Sequence, residues 1–390
     1  MQKRVVVYTP EPASGAARYV FELVKSVANA GASVVLFCPS NFAFAAEVAR
    51  CRIPICYSAT RGTEPGSLLN RTSRNLRFFG LHFLRQLSVC GPGDIFHVQF
   101  PLYFPFGFCS FLVARTRGSR IVFTAHDPVP HKWLLPESLR VLERGTLSLA
   151  YRLSDAIIVH NEADRQLLVQ QFGQPASKIA VVPHGPLAVG SATHPLKASE
   201  YLELLLFGSI REDKGIHLAV EAVHRLHALG KPVRLTIAGA VANARETEYW
   251  RRCKALIAQA GKCIRVEERF IADDELPALI ADCHAMLLPY TGGNSESGVA
   301  ALALANERAI IARNLGGLGT LLSAADLGVS IEGATAQAVE QAIEAALRLG
   351  LEALRQKGAN GAELINATRS WAEIGRKTVN LYARVNSPVL

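Results

Sequence analysis

The stretch ELLLFGSIREDKGIHLAVEAVHRLHALGKPVRLTIAG, residues 203–239, decides the fold. ELLLFGS is an apolar run of strand length. IREDKG is a charged loop closed by glycine. IHLAVEAVHRLHALG carries apolar residues at helical spacing, and PVRLTIAG returns to a strand. Residues 4–39 repeat this order. RVVVYT is a strand, PEPASGAA a loop, and Tyr19, Val20, Leu23, Val24 and Val27 line one helical face before Gly31 and the strand SVVLFCP. Strands alternating with helices imply parallel sheets covered on both faces.

Further strands fit the plan: DIFHVQF (94–100), RIVFTAH (120–126), DAIIVH (155–160), KIAVVPH (178–184), IRVEERF (264–270), HAMLLPY (284–290) and RAIIAR (308–313). The Gly-, Pro-, Ser- and Ala-rich stretch 185–199 reads as a linker. The expected fold class is α/β, two facing Rossmann-like doubly wound domains with an interdomain cleft. The expected domains are 1–190, completed by a C-terminal helix at 370–387, and 191–369. In doubly wound sheets, ligands bind beyond the carboxyl ends of the strands.

With 390 residues, 49% hydrophobic and 19% charged, the chain has ample material for two cores and no disordered character. Its eight Cys form no Cys-x-x-Cys pair, and they read as reduced, buried thiols. The start, MQKRVVVYTP, has an apolar run only a strand long, and no secretory signal is read there. Residues 1–190 hold 20 Lys+Arg against 11 Asp+Glu, whereas residues 191–390 hold 22 of each. The basic excess therefore sits in the first half, which favours an acidic partner there: a phosphate-bearing acceptor, an anionic lipid surface or a nucleic acid.

Three places can carry chemistry. In TGGNSESGVAALALANE (291–307), Gly298 starts an apolar helix whose first-turn amides form an anion seat. Glu296, just before it, suits sugar hydroxyls rather than phosphate. The alternative is an N-cap made by Ser295 or Ser297. In FGSIREDKG (207–215), Arg211 and Lys214 suit a diphosphate, unless Glu212 and Asp213 neutralise them. In FTAHDPVPH (123–131), His126 ends a strand where doubly wound folds do chemistry, and His97 in FHVQFP is similarly placed. No Walker loop and no Gly-x-Ser-x-Gly elbow occurs, and no Gly-x-Gly-x-x-Gly follows the first strand, which disfavours a nicotinamide or flavin enzyme. No metal-ligand cluster is read. Residues 70–87, with Arg71, Arg74, Arg77 and Arg85 among Leu and Phe, suit a membrane interface or an ordinary packed helix.

Taken in order, SGAARYVFELVKSVANAGASVVLFCP, FTAHD, AIIVHNEADRQLL, LFGSIREDKG, SESGVAALALANERAII and SWAEIGRKTVNLYARV resemble retaining glycosyltransferases of the two-Rossmann B fold, family 4 type, over nearly the whole length. The resemblance implies transfer of a sugar from a nucleotide diphosphate sugar to an acceptor hydroxyl with the anomeric configuration kept. It implies bacterial cell-surface polysaccharide or glycolipid synthesis, a hexosyltransferase independent of metal, and no cofactor beyond the donor. By that likeness Arg211 and Lys214 hold the diphosphate, with the amides of Ser297, Gly298 and Val299, while Gly15 lets the first loop approach it. His126 and Glu296 serve the donor sugar as the catalytic pair. The expected partners are the nucleotide-sugar donor, a saccharide or lipid-linked acceptor and an anionic membrane surface contacted by Arg71, Arg74 and Arg77, with no nucleic acid. The expected location is the cytoplasm, peripheral on the inner face of the plasma membrane. Two departures stand out: the family's second acid falls on Leu304, and the Arg after the loop glycine is Ser209. Alternatives are a sugar-nucleotide epimerase of the same fold and a non-catalytic partner protein.

Overall fold

The computed structural model describes residues 4–59, 68–101, 106–130, 133, 135–186, 199–272, 274–292 and 297–386, without the side chains of Ser14 and residues 68–76. Glu296, the side chains of Arg71 and Arg74, and most of the expected linker (187–198) lie outside these residues. The chain divides into unit 1, Met1–Pro183 with Trp371–Leu390, and unit 2, His184–Ser370.

Unit 1 holds strands β1 (Arg4–Tyr8), β2 (Ser33–Pro39), β3 (Ile55–Ser58), β4 (Ile95–Val98), β5 (Arg120–Thr124), β6 (Ala156–Val159) and β7 (Ile179–Val181). They pair in parallel in the order β3-β2-β1-β4-β5-β6-β7. Unit 2 holds β8 (Leu202–Phe207), β9 (Val233–Gly239), β10 (Ile264–Glu268), β11 (Ala285–Leu288), β12 (Ala309–Arg313) and β13 (Gly328–Ile331). These are also parallel, in the order β10-β9-β8-β11-β12-β13. Both sheets reverse strand order once, beside β1 in unit 1 and beside β8 in unit 2. A doubly wound sheet opens a ligand crevice at such a switch point.

Helices on both faces explain the unbroken apolar strands. β1 from Val5 to Tyr8 and β11 throughout are buried because neither face meets water. Burial of each large aliphatic side chain contributes about 1.5–3 kcal/mol. The C-terminal helix, Trp371–Asn386, lies on the helix Ser14–Asn29 so closely that a Cβ at Gly375 would press 2.5 Å from the Ser26 carbonyl oxygen.

Several expected boundaries change. The strands read as 94–100, 120–126 and 178–184 stop at Val98, Thr124 and Val181. Pairing to neighbours ends within one further residue, and the chain then turns into the loops that carry polar groups. The edge strands β3 and β13 had no sequence expectation; both are short, four residues each. Gly15 stands in the first turn of the helix Ser14–Asn29 and not in the preceding loop, because the small residues there continue the helix backward. Cys51 is exposed, against the expectation of buried thiols, because it caps the short helix Ala45–Arg50 at a surface turn.

Two buried histidines make unit 1 acid-sensitive. His82 sits among the rings of Tyr8, Phe37 and Phe83, 5.3–5.5 Å between centroids, and burial lowers its pKa to about 4. Burial lowers that of His97 to about 3. An unfolded histidine binds its proton below about pH 6.5, while these folded ones do not. Their contribution is therefore full above that pH and is lost as pH falls toward about 4 and about 3. Each is expected to cost about 2 kcal/mol of stability between roughly pH 6.5 and pH 5. His82→Phe, which suits the ring cluster, should shrink the acid-induced fall in melting temperature; an undiminished fall refutes the assignment.

Candidate functional site

In unit 2 the loops after β8 and β11 flank the switch point. The first loop runs through Arg211 and a single 3-10 turn, Glu212–Lys214, to Gly215 and the helix Ile216–Ala228. Gly215 has φ +66°, and a Cβ there would fall on the carbonyl oxygen of Pro289 in the second loop. Only glycine meets both conditions. The amide of Thr291 donates to the Asp213 carbonyl at 2.9 Å, and the Glu212 amide donates to the buried Glu246 carboxylate at 2.9 Å. The two loops are thus tied by backbone, and their side chains follow.

The Lys214 ammonium lies 3.7 Å from the centroid of the Tyr290 ring, a cation–π contact. The Tyr290 hydroxyl stands 3.2 Å from Ser297 Oγ. Ser297 caps the helix Gly298–Ala305 by accepting the Ala300 amide at 3.3 Å. The structure therefore brings Lys214, Ser297, Gly298 and Val299 to one helix N-terminus, with Gly208 also 3.7 Å from a Val299 methyl by its Cβ direction. The capping alternative holds for Ser297, yet its side chain satisfies only the Ala300 amide of the first turn. Arg211 shares the loop but pairs with Asp213 at 2.9 Å, so the neutralising alternative applies to it and not to Lys214. Arg211 Nε is buried without a hydrogen-bond partner among the described residues.

The helix Gly298–Ala305 has no charged side chain, and Val299 to Leu304 are all buried. Leu304 packs onto Gly361 of the helix Leu351–Thr368, where a Cβ added at residue 361 would overlap it. Glu307 takes a left-handed turn after the helix, φ +57°, and does not stand in the place of Leu304. Arg308 is fully buried on the carbonyls of Ile280 and Asn306, a structural cation that closes this turn.

In unit 1 the polar groups gather at the carboxyl ends of β4, β5 and β6. His126 is half-buried. Its Nδ1 lies 3.0 Å from His160 Nε2, and its Nε2 lies 3.3 Å from Gln99 Oε1. Phe100 stacks on its ring at 4.4 Å and Tyr19 meets it edge-on at 4.8 Å. His160 Nδ1 donates to the Val182 carbonyl at 2.9 Å. His97, placed beside His126 by sequence, is fully buried instead: it bridges Tyr382 of the C-terminal helix at 2.6 Å and Thr124 at 2.8 Å. It points inward because, as the third residue of β4, it is still inside the sheet. His160, Gln99, Tyr19, Tyr382 and Tyr290 were not singled out from sequence. His160 gave the one available signal, since it directly follows its strand as His126 nearly follows β5.

Arg77 is exposed on the helix Leu68–Val89, on the side that also exposes Leu81 and Leu84, at 50% and 65%. No helix among the described residues is long and apolar enough to cross a membrane. Among the described residues no three His, Cys, Asp or Glu side chains converge on a metal-sized position.

Known proteins share this architecture. The solved structure of a glycosyltransferase from Rickettsia africae is 16% identical, covers 99% of both chains and has a TM-score of 0.72. Sucrose-phosphate synthase from Thermosynechococcus elongatus is 17% identical over 98% of this chain and 99% of its own, with a TM-score of 0.75. Anabaena Alr3699/HepE in complex with UDP-glucose is 14% identical over 98% and 99%, with a TM-score of 0.77. At these identities the likeness speaks for the fold. No curated protein sequence matches the chain. The sequence model for Glycosyltransferase Family 4 matches residues 13–185, and that for Glycosyl transferases group 1 matches residues 202–348. With each unit matched by its own half of one enzyme type, the chain belongs to the glycosyltransferases of group 1, family 4 type.

Proposed function

We propose that the chain is a retaining, metal-independent hexosyltransferase that moves a sugar from a nucleotide diphosphate sugar to an acceptor hydroxyl in bacterial cell-surface polysaccharide or glycolipid synthesis. The observation that carries the donor reading is Lys214, held on Tyr290 beside the N-terminus of the helix Gly298–Ala305. A point charge next to a helix N-terminus suits a leaving diphosphate. The binding of UDP-glucose by a structure of the same fold supports a nucleotide-sugar donor.

In this reading the bond between the anomeric carbon and the diphosphate oxygen breaks, and the acceptor oxygen bonds to that carbon on the same face. The acceptor's proton passes to the departing phosphate. Lys214, Arg211 and the amides of Ser297, Gly298 and Val299 take up the charge that develops there. Arg211 leaves Asp213 to do so, and its spare Nε donor favours that exchange. Gly15, in the first turn of its helix, adds an amide facing the same kind of anion. His126 and Glu296 serve the donor sugar. No cofactor other than the donor takes part.

Lys214→Ala and Arg211→Ala are each expected to weaken nucleotide diphosphate binding by roughly tenfold to a hundredfold, the worth of about 1.5–3 kcal/mol for a charge-assisted hydrogen bond. Calorimetric titration with uridine and guanosine diphosphates checks this. Glu296→Gln should bind the same nucleotide normally and transfer sugar slowly, and NMR of the product anomer should find the donor's configuration. Binding that ignores both cations removes the diphosphate seat, and an inverted product removes retention.

Leu304→Glu, which writes the family's second acid into the helix, should lower the melting temperature strongly and restore nothing, because burying a lone carboxylate costs several kcal/mol. A variant as stable as the parent contradicts the packing described for Gly361.

A cytoplasmic enzyme peripheral on an anionic inner leaflet, acting on a lipid-linked saccharide, fits the basic first half and the exposed Leu81, Leu84 and Arg77. Vesicles with anionic lipid should float the protein at low salt and release it at about 0.5 M salt, since surface charges are then screened. The triple change Arg71→Ala, Arg74→Ala and Arg77→Ala should weaken flotation; unchanged flotation sinks the membrane reading.

A further inference from the structure

The hydrogen-bond chain at the carboxyl end of the unit 1 sheet can be read proton by proton. The Val182 carbonyl only accepts, so His160 Nδ1 carries a proton. Gln99 turns its amide nitrogen to His97 Nε2 at 2.9 Å and its carbonyl oxygen to His126 Nε2 at 3.3 Å. The carbonyl only accepts, so His126 Nε2 also carries a proton. The remaining two nitrogens, His126 Nδ1 and His160 Nε2, are 3.0 Å apart and share a hydrogen bond, so one of them holds a third proton. Three protons on four ring nitrogens give the pair one positive charge.

Burial of His160, 2% exposed, opposes this charge, and a stacked ring offsets part of that cost. Phe100 lies flat against His126, 6° from parallel at 4.4 Å, and so offers it a ring face. Exposed Asp127 adjoins it in the chain. Among the described residues, Tyr19 on the helix Ser14–Asn29 also meets both rings, and His97 with Tyr382 lies across Gln99. Asp164, four residues after His160 in the chain, accepts a hydrogen bond from Asn161 at 2.9 Å. His97 serves as a neutral acceptor of the Gln99 amide and donates through Nδ1 to Tyr382.

Turning the Gln99 amide over reverses each of these roles. Its nitrogen then donates to His126 Nε2, His126 donates to His160, and the pair is neutral. Its oxygen faces His97, which moves its proton to Nε2 and accepts from the Tyr382 hydroxyl. We propose that Gln99 is a positioning residue that sets the charge of the His126–His160 pair, one unit positive in the observed orientation and neutral when turned over, with Tyr382 of the C-terminal helix reporting the change. An anionic ligand at this end of the sheet selects the charged state. That use in catalysis rests on the donor-side reading of His126, whereas the charge itself is tested without any donor.

Nitrogen-15 histidine NMR of the full chain over a pH series reads the proton count directly, with the two resonances assigned by His126→Gln and His160→Gln. The parent should hold three protons on the pair at neutral pH. Gln99→Glu, which can only accept, should raise the pH at which the third proton leaves by about one unit or more. Gln99→Met, which gives His126 no acceptor, should lower it. Packing damage would move both variants the same way, so shifts in one direction, or none, overturn the proposal. If Gln99→Met does not fold, His160→Leu serves in its place. Its side chain offers His126 Nδ1 no acceptor, so His126 should lose the doubly protonated signal at neutral pH, and persistence of that signal overturns the shared charge.

Discussion

A carbonyl oxygen of Pro289 occupies the space where any side chain at residue 215 would begin. Everything the candidate donor site presents follows from that close approach. It requires glycine, in a left-handed conformation, at the start of the helix Ile216–Ala228. It holds the loop after β8 against the loop after β11, across the place where the sheet reverses its order. Lys214 is thereby delivered onto Tyr290, and Tyr290 in turn onto the residue that caps the helix Gly298–Ala305. The charge is positioned by backbone packing, with little side-chain entropy left to spend on binding. The loop's own acids do not undo this. Glu212 engages Arg252 and Asp213 engages Arg211, which leaves the ammonium to the aromatic face.

Unit 1 solves a different problem with the same topology. Its sheet ends in side chains that need partners once the flanking helices have excluded water. Tyr382, His97, Gln99, His126 and His160 satisfy one another in sequence, from the C-terminal helix to the loop after β7. A buried polar chain of this kind is stable only when each donor finds an acceptor. The protonation of one histidine is therefore tied to the orientation of a neighbouring amide. The same network explains why the final helix belongs with the first unit: it supplies Tyr382, and it seats Trp371 on Tyr19, 5.2 Å between centroids.

The architecture was legible because parallel strands buried on both faces leave unbroken apolar runs, and because the stretch 203–239 writes strand, loop, helix and strand without interruption. The short edge strands escaped, since β3 and β13 are only four residues long and partly exposed. Their pairing comes from a neighbour and not from their own composition. Among site residues, Lys214, Ser297 and His126 were legible from their position just past a strand or just before a helix. His97 shares that spacing and yet points inward, because one more residue of pairing keeps it inside the sheet. Gln99, Tyr290 and Tyr382 carry no motif. Their importance arises from tertiary neighbours 2 to 285 residues away, and only folding assembles those.

Leu304 shows how packing can settle a question that a family pattern leaves open. In the pattern this position carries an acid. Here the side chain is fully buried, on a helix with no charge of its own, and it fills the notch left by Gly361. A carboxylate at that point would lose its hydration, and it would also press the helix Leu351–Thr368 away. The substitution therefore belongs to the helix interface as a whole, with Gly361 as its complement, and is no isolated loss from an otherwise standard site. Packing at this position therefore excludes the acid that the family pattern places there. The helix carries no charged side chain from Gly298 to Ala305, so burying it costs no desolvation of an ionised group.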